Sequence, residues 1–135
     1  DVYKRQLKKR GSLLAEKQRL IGETIARAKE ELKSLDGEAY FEMLLKLAVK
    51  SAQTGEGELL FSAKDLARLP EGFEEQINAA LKDKGAVLHV SAGSRDIDAG
   101  FVLTYGGIEE NCSFDAIFDS ARETLQDKAQ ELLFS

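Results

Sequence analysis

Residues 100–134 read GFVLTYGGIEENCSFDAIFDSARETLQDKAQELLF, and the order of residue types in this stretch decides the fold. Phe101-Val102-Leu103-Thr104-Tyr105 is rich in aromatic and β-branched residues, which suit the pleated, half-buried surface of a strand. Gly106 and Gly107 follow and supply the positive φ that a two-residue hairpin turn requires. Residues 108–111 form the returning strand. Asn111 and Ser113 then offer side-chain oxygens to the orphan amides of a helix start. Asp115 and Asp119 put negative charge in its first turns, where the helix dipole favours it. The spacing predicts one amphipathic helix from there to Phe134.

Upstream, residues 86–90 (AVLHV) read as a strand, and residues 91–98 as a polar loop. Residues 72–84 read as a helix with Phe73, Ile77, Ala80 and Leu81 inward, stopped by Gly85. Ser62 caps a short helix over 63–68 that ends before Pro70. A strand covers 58–61. Before it, behind the cap residue Asp36, a helix over 38–53 turns Tyr40, Phe41, Leu44, Leu47, Ala48 and Ala52 to one side. The three later strands lie close in sequence and are expected to form an antiparallel meander, with strand 58–61 joining its edge. The expected fold class is α+β: a two-layer domain whose mainly antiparallel four-stranded sheet is covered by helices, preceded by an extended coiled-coil helix.

That leading helix spans residues 7–35. It lacks proline and is dominated by Lys, Arg, Glu, Leu, Ala and Gln, all good helix formers. Alternate steps of four and three pick out Leu7, Gly11, Leu14, Gln18, Ile21, Ile25, Ala28, Leu32 and Leu35, an apolar seam interrupted only by Gly11 and Gln18. Leu13 and Leu20 make a second, partial stripe. A lone helix has nothing of its own against which to bury such a seam, so Leu14, Ile21, Ile25, Ala28, Leu32 and Leu35 are expected to meet a partner helix. The expected division is therefore a coiled-coil arm over 1–35 and an α+β domain over 36–135.

Charge follows the same division. Residues 1–35 hold ten Lys/Arg against five Asp/Glu, and residues 36–135 hold nine against nineteen. A basic arm on an acidic body implies that the two parts meet different surroundings. The best apolar run, 43–49, is broken by Lys46 and falls far short of the about 18 residues that a membrane span takes, so no direct membrane insertion is expected. With Cys112 the single cysteine there is no intramolecular disulfide, which is compatible with a reducing cytoplasm. The basic start is not followed by an apolar run of the secretory kind.

Reactive chemistry finds little support. His89 stands alone between Leu88 and Val90, with Cys112 the sole soft ligand, so no metal site is expected and His89 reads as structural or solvent-facing. A helix N-terminus near Cys112 would activate its thiol, but the sequence offers no base to complete a catalytic pair, and a packing role is favoured. Gly106 and Gly107 join two strands rather than a strand and a helix, and neither GxGxxG nor GxxxxGK[ST] occurs, so no nucleotide cofactor is expected. Glu74-Glu75 and Glu109-Glu110 are ordinary surface pairs. The one rival class is a coiled-coil dimeric nucleic-acid-binding protein that uses its basic N-terminal arm, Lys4, Arg5, Lys8, Lys9 and Arg10 ahead of a leucine-type repeat. That cluster contains no Asn to bond adenine edges, and the acidic body repels phosphate, so no nucleic acid is expected as partner.

From about residue 37 to 134, the element order, the GELLFSAKDL segment, the GFVLTYGGIEENCSF hairpin and cap, and the helix ending Leu132-Leu133-Phe134 resemble one family. It is the E subunit of the V-type and A-type rotary ATPases and ATP synthases, in its C-terminal domain. The leading helix resembles a shortened form of that family's long N-terminal helix. One departure is Ala99 before Gly100, where the family often has two glycines. The resemblance implies a non-catalytic peripheral-stalk, or stator, component. Its helix would form a heterodimeric coiled coil with a second stalk subunit, and its C-terminal domain would dock on the catalytic head. It would resist torque in a complex that couples proton or sodium transport to ATP synthesis or hydrolysis. No catalytic residue, metal or cofactor is implied, and the place would be cytoplasmic, peripheral on the inner face of the cell membrane.

Overall fold

A computed structural model describes residues 1–134. Helix α1 runs Val2–Lys33, α2 Gly37–Ser51, strand β1 Gly55–Leu60, α3 Ala63–Ala67 and α4 Phe73–Leu81, followed by a 3-10 turn over Lys82–Lys84. Then come β2 Ala86–Val90, β3 Gly100–Tyr105, β4 Ile108–Ser113 and α5 Phe114–Phe134. The chain falls into two compact units. One holds Asp1–Glu31 together with residues 118–134; the other is Leu32–Ile117. The far part of α5 thus groups with the arm, and the sheet with its helices forms the second unit.

In the sheet unit, local chemistry sets the element starts. Asp36 accepts a hydrogen bond from the Ala39 amide at 2.8 Å and opens α2. Ser62 accepts one from the Asp65 amide at 3.1 Å and opens α3. Gly85, at φ 68°, ends the 3-10 turn in the left-handed region that side chains avoid.

The fold is α+β, and its four-stranded sheet is mixed, in the order β2-β1-β3-β4. β1 pairs parallel with β2 through Gly57↔Leu88 and antiparallel with β3 through Leu59↔Leu103. β3 and β4 form the hairpin, with Tyr105↔Ile108 closing it. The expected edge position of β1 is corrected: it is inserted between β2 and β3. The chain between β1 and β2 carries α3 and α4, and a helical crossover of that length returns the chain parallel to the strand it left. A central position also dries β1, whose Leu59 has no exposed area. The loop from β2 to β3 must then pass the end of β1, and there the Ser91 amide bonds to the Leu59 carbonyl and the Arg95 amide to the Phe61 carbonyl, both at 2.9 Å.

Helices α2 and α4 cover one face. Leu44, Ile77 and Leu81 on the helices, and Leu59, Phe61, Leu88, Phe101 and Leu103 on and beside the strands, are all closed to water. Edge-to-face rings link Tyr40 to Phe41, Phe41 to Phe73, Phe73 to Phe61 and Phe61 to Phe101, with centroids 5.1–6.0 Å apart. Of the inward positions expected on α4, Ala80 is exposed.

Candidate functional site

In the helix unit, the arm seam is the side of α1 that loses water. Leu14, Gln18, Ile21, Ile25 and Ala28 are half-buried, in a unit that otherwise contains only α5. The Gln126 side chain donates to the Gln18 carbonyl at 3.3 Å. Ile21 lines a groove of about 460 Å³ with Leu125, Ala129, Leu132 and Leu133. The expectation that the arm has nothing in its own chain to lie against is therefore corrected: α5 carries an apolar stripe that shares this groove. The stripe was readable, since Leu125 and Leu132 are seven residues apart, but a terminal helix following a sheet reads first as a cover for that sheet.

Coverage of the arm is incomplete. Leu13 is 45% exposed, Leu20 47%, Leu125 47% and Leu132 75%. Around the opposite side of α1, Arg19 bridges Glu16 and Glu23 in solvent. Its hydrogen bond and charge hold the Glu16 carboxyl below the usual carboxylate range. Of the remaining seam residues, Leu32 is half-buried, and Leu35, just past the end of α1, is exposed.

The turn and cap residues lie in the sheet unit. Gly106 has φ 59°, and Gly107 does not share the positive sign, so the turn takes the pattern in which only its first central residue is left-handed. Ser113 is buried at the end of β4, and its hydroxyl accepts from the Ala116 amide at 3.2 Å, capping α5. Asn111 instead accepts from the Ser113 amide at 2.9 Å and steadies the approach to the cap.

A buried polar cluster passed unnoticed in the sequence. The Tyr40 hydroxyl donates to Asp65 at 2.6 Å and accepts from the Gly100 amide at 3.1 Å. Asp65 also receives the Arg68 guanidinium at 3.1 Å, and that guanidinium lies over the rings of Tyr40 and Phe41. Burial first, and the Asp65 carboxylate second, push the Tyr40 ionisation well above its usual value. Gly100 sits at φ 87°, and a Cβ there would lie 2.4 Å from the Cys112 carbonyl oxygen, so only glycine fits. This satisfied cluster ties α2 and α3 to the start of β3, with Tyr40 and Asp65 buried.

His89 faces solvent, with Nδ1 3.3 Å from Glu74 and Nε2 3.9 Å from Glu56. Cys112 is buried, which pushes its thiol ionisation up and makes it a poor nucleophile. Among the described residues, no group of three His, Cys, Asp or Glu side chains is placed to hold a metal. No helix among them is long and apolar enough to cross a membrane.

No protein-family model matches the sequence. Curated proteins do. The chain is 35% identical over 131 residues to the E subunit of the V-type proton ATPase of Clostridium botulinum (strain Loch Maree / Type A3), covering 96% of this chain and 66% of that protein. It is 36% identical over 106 residues to the E subunit of the V-type ATP synthase of Acetivibrio thermocellus, covering 77% and 54%. The chain belongs to the family of V-type ATPase E subunits. A third member, from the V-type proton ATPase of Thermoanaerobacter pseudethanolicus, is 32% identical over 123 residues, covering 90% and 62%. This E-subunit chain thus spans between about half and about two thirds of the length of these relatives. Nearly its whole length is matched in the first of them, so the relationship takes in arm and sheet unit alike, including the hairpin and cap that carried the resemblance.

Proposed function

We propose that this E-subunit chain is a non-catalytic stator component of a V/A-type rotary ATPase or ATP synthase, linking the catalytic head to the membrane sector. The observation that carries the reading is α1: a 32-residue helix, about 48 Å long at 1.5 Å per residue, with an apolar seam and further leucines left open beside it. A rod with an incompletely covered apolar edge is suited to binding another helix along its length. The sheet unit, with a closed core and a satisfied polar cluster, is suited to act as a rigid docking body.

In this reading the arm seam, Leu14 to Leu35, meets a second peripheral-stalk subunit, and the C-terminal domain meets head subunits. The chain works from the cytoplasmic face of the membrane without entering it. Burial of apolar area at roughly 25 cal/mol per Å² supplies the association energy. The work is mechanical, the transmission and resistance of torque between ion-translocating and nucleotide-handling parts. Affinity-tagged chain expressed in its own cell tests this. The expected result is recovery of the other subunits of a V-type ATPase with it. Recovery of the chain free of any such subunit overturns the proposal.

A further inference from the structure

The sheet has two edges, β2 and β4, and they are finished differently. An edge strand turns a row of backbone N–H and C=O groups outward, where any strand that reaches them can pair. On β2 these groups are taken. Asn78 on α4 presents its side-chain amide as a strand would, accepting from the Leu88 amide at 2.8 Å and donating to the Leu88 carbonyl at 2.9 Å. Glu74 accepts from the Val90 amide at 3.0 Å. The chain closes that edge with its own side chains.

The β4 edge is left open. A two-residue turn makes Tyr105↔Ile108 a hydrogen-bonded pair, and antiparallel pairs alternate, so Glu110 and Cys112 also bond to β3. The N–H and C=O groups of Glu109 and Asn111 then point away from the sheet. Among the described residues nothing takes those groups up. Further along, the Asn111 side chain accepts from the Ser113 amide at 2.9 Å and ends the open stretch. Residues 108–111 are all exposed, Ile108 at 73%.

Charge narrows the occupant. Successive strand residues point to opposite faces, so Glu109 and Glu110 put a carboxylate on each side of this edge. Arg95 pairs with Glu109, but from residue 106 to 121 the sequence has no Lys or Arg. A second copy pairing through β4 would set Glu109 and Glu110 close to their own counterparts, and like charges opposed across strands destabilise. A strand with Lys or Arg at those positions is stabilised instead. Ile108 shares a face with Glu110 and suits an apolar or β-branched neighbour.

We propose that the β4 edge takes up an extended, basic segment of another chain as a fifth strand of the sheet. This goes beyond the stator reading, since it concerns the backbone of the sheet unit and stands whichever complex the chain joins.

Three eight-residue peptides test it on the full chain by fluorescence anisotropy. The first has threonine, lysine, lysine and valine at its centre, to lie opposite Asn111, Glu110, Glu109 and Ile108 in antiparallel order. The second has glutamate for lysine. The third keeps the lysines and is N-methylated at the two residues opposite Asn111 and Glu109, whose amides must reach β4. The first is expected to bind with Kd below about 1 mM, and at least about tenfold tighter than either control. At saturation it is expected to slow hydrogen exchange about tenfold or more at the Glu109 and Asn111 amides, leaving Leu88 and Val90 unchanged. Glu109→Pro removes one outward N–H, which an edge strand tolerates, and is expected to weaken binding about tenfold or more, against about threefold for Glu109→Gln. Thermal melting checks that the proline variant folds, and the exchange measurement on the parent chain stands without it. Three results overturn the proposal: no binding of the lysine peptide at about 1 mM, equal binding of either control, or binding without slowed exchange at Glu109 and Asn111. Self-association of the free chain that Glu109→Pro abolishes overturns it too, because the occupant is then a second copy.

Discussion

In the sheet unit, Leu44, Leu59, Phe61, Ile77, Leu81, Leu88, Phe101 and Leu103 are wholly shut off from water, whereas in the helix unit Leu20 and Leu125 stay half-exposed and Leu132 more so. Helix α1 has no fully buried residue at all. Both units use leucine at regular spacing, yet one closes its core from within and the other stops short. A sheet face with two helices over it can surround an apolar side chain on every side. Two cylinders cannot, because each leaves an open flank along the line of contact. The sheet unit therefore closes its own core, and the helix unit keeps an open apolar flank.

Substitutions can break that contrast. The largest effect is expected from Phe61→Ala, which empties the junction between Phe73 and Phe101 and should cost about 3–5 kcal/mol in chemical denaturation. A loss below about 1 kcal/mol would mean the core is looser than its geometry. Next is Gly100→Ala, where a left-handed backbone and the Cys112 carbonyl oppose the new methyl; about 2–3 kcal/mol is expected by the same measurement.

Tyr40→Phe should follow at about 1–3 kcal/mol, because Asp65 loses one donor and the Gly100 amide its acceptor. This variant also has a pH signature. The Tyr40 ionisation is raised in the folded chain above its ordinary value of 10.0, chiefly by burial. The stability it contributes is complete below pH 10 and falls as pH rises above that, when the unfolded chain ionises and the folded one does not. Melting curves from pH 9 to 11 should therefore show a smaller alkaline loss in Tyr40→Phe than in the parent chain.

The smallest effect is expected from Leu132→Ser, within about 0.5 kcal/mol for the chain alone, since the side chain is mostly in water already. That near-silence is what sharpens the contrast: a leucine that matters little to folding and much to partner binding marks a surface, whereas a large folding loss would make α5 a closed part of the core.

Much of this was legible in residue order. The β3–β4 hairpin followed from an aromatic and β-branched run ending in two glycines, and the caps at Asp36 and Ser62 followed from polar residues ahead of apolar periodicity. These are local features, decided by atoms within four residues of one another. The position of β1 was not legible, because strand order depends on which surfaces meet after the crossover, and sequence proximity favoured the wrong neighbours. The Tyr40–Asp65–Gly100 cluster was invisible for the same reason: its members lie 25 and 60 positions apart, and nothing in the neighbours of Asp65 marks it as buried. The arm seam was legible as periodicity, but its neighbour was not, since periodicity states that a face is apolar and leaves open what covers it.

By itself, then, the sequence determined the elements, their caps and turn, the apolar stripes and the family to which the chain belongs, because backbone propensity and short-range hydrogen bonding act on neighbouring residues. Tertiary structure alone decided that β1 lies inside the sheet, that the far part of α5 groups with the arm, and that an apolar groove stays open there. Those outcomes depend on how whole surfaces compete for burial, a contest between residues far apart in the chain.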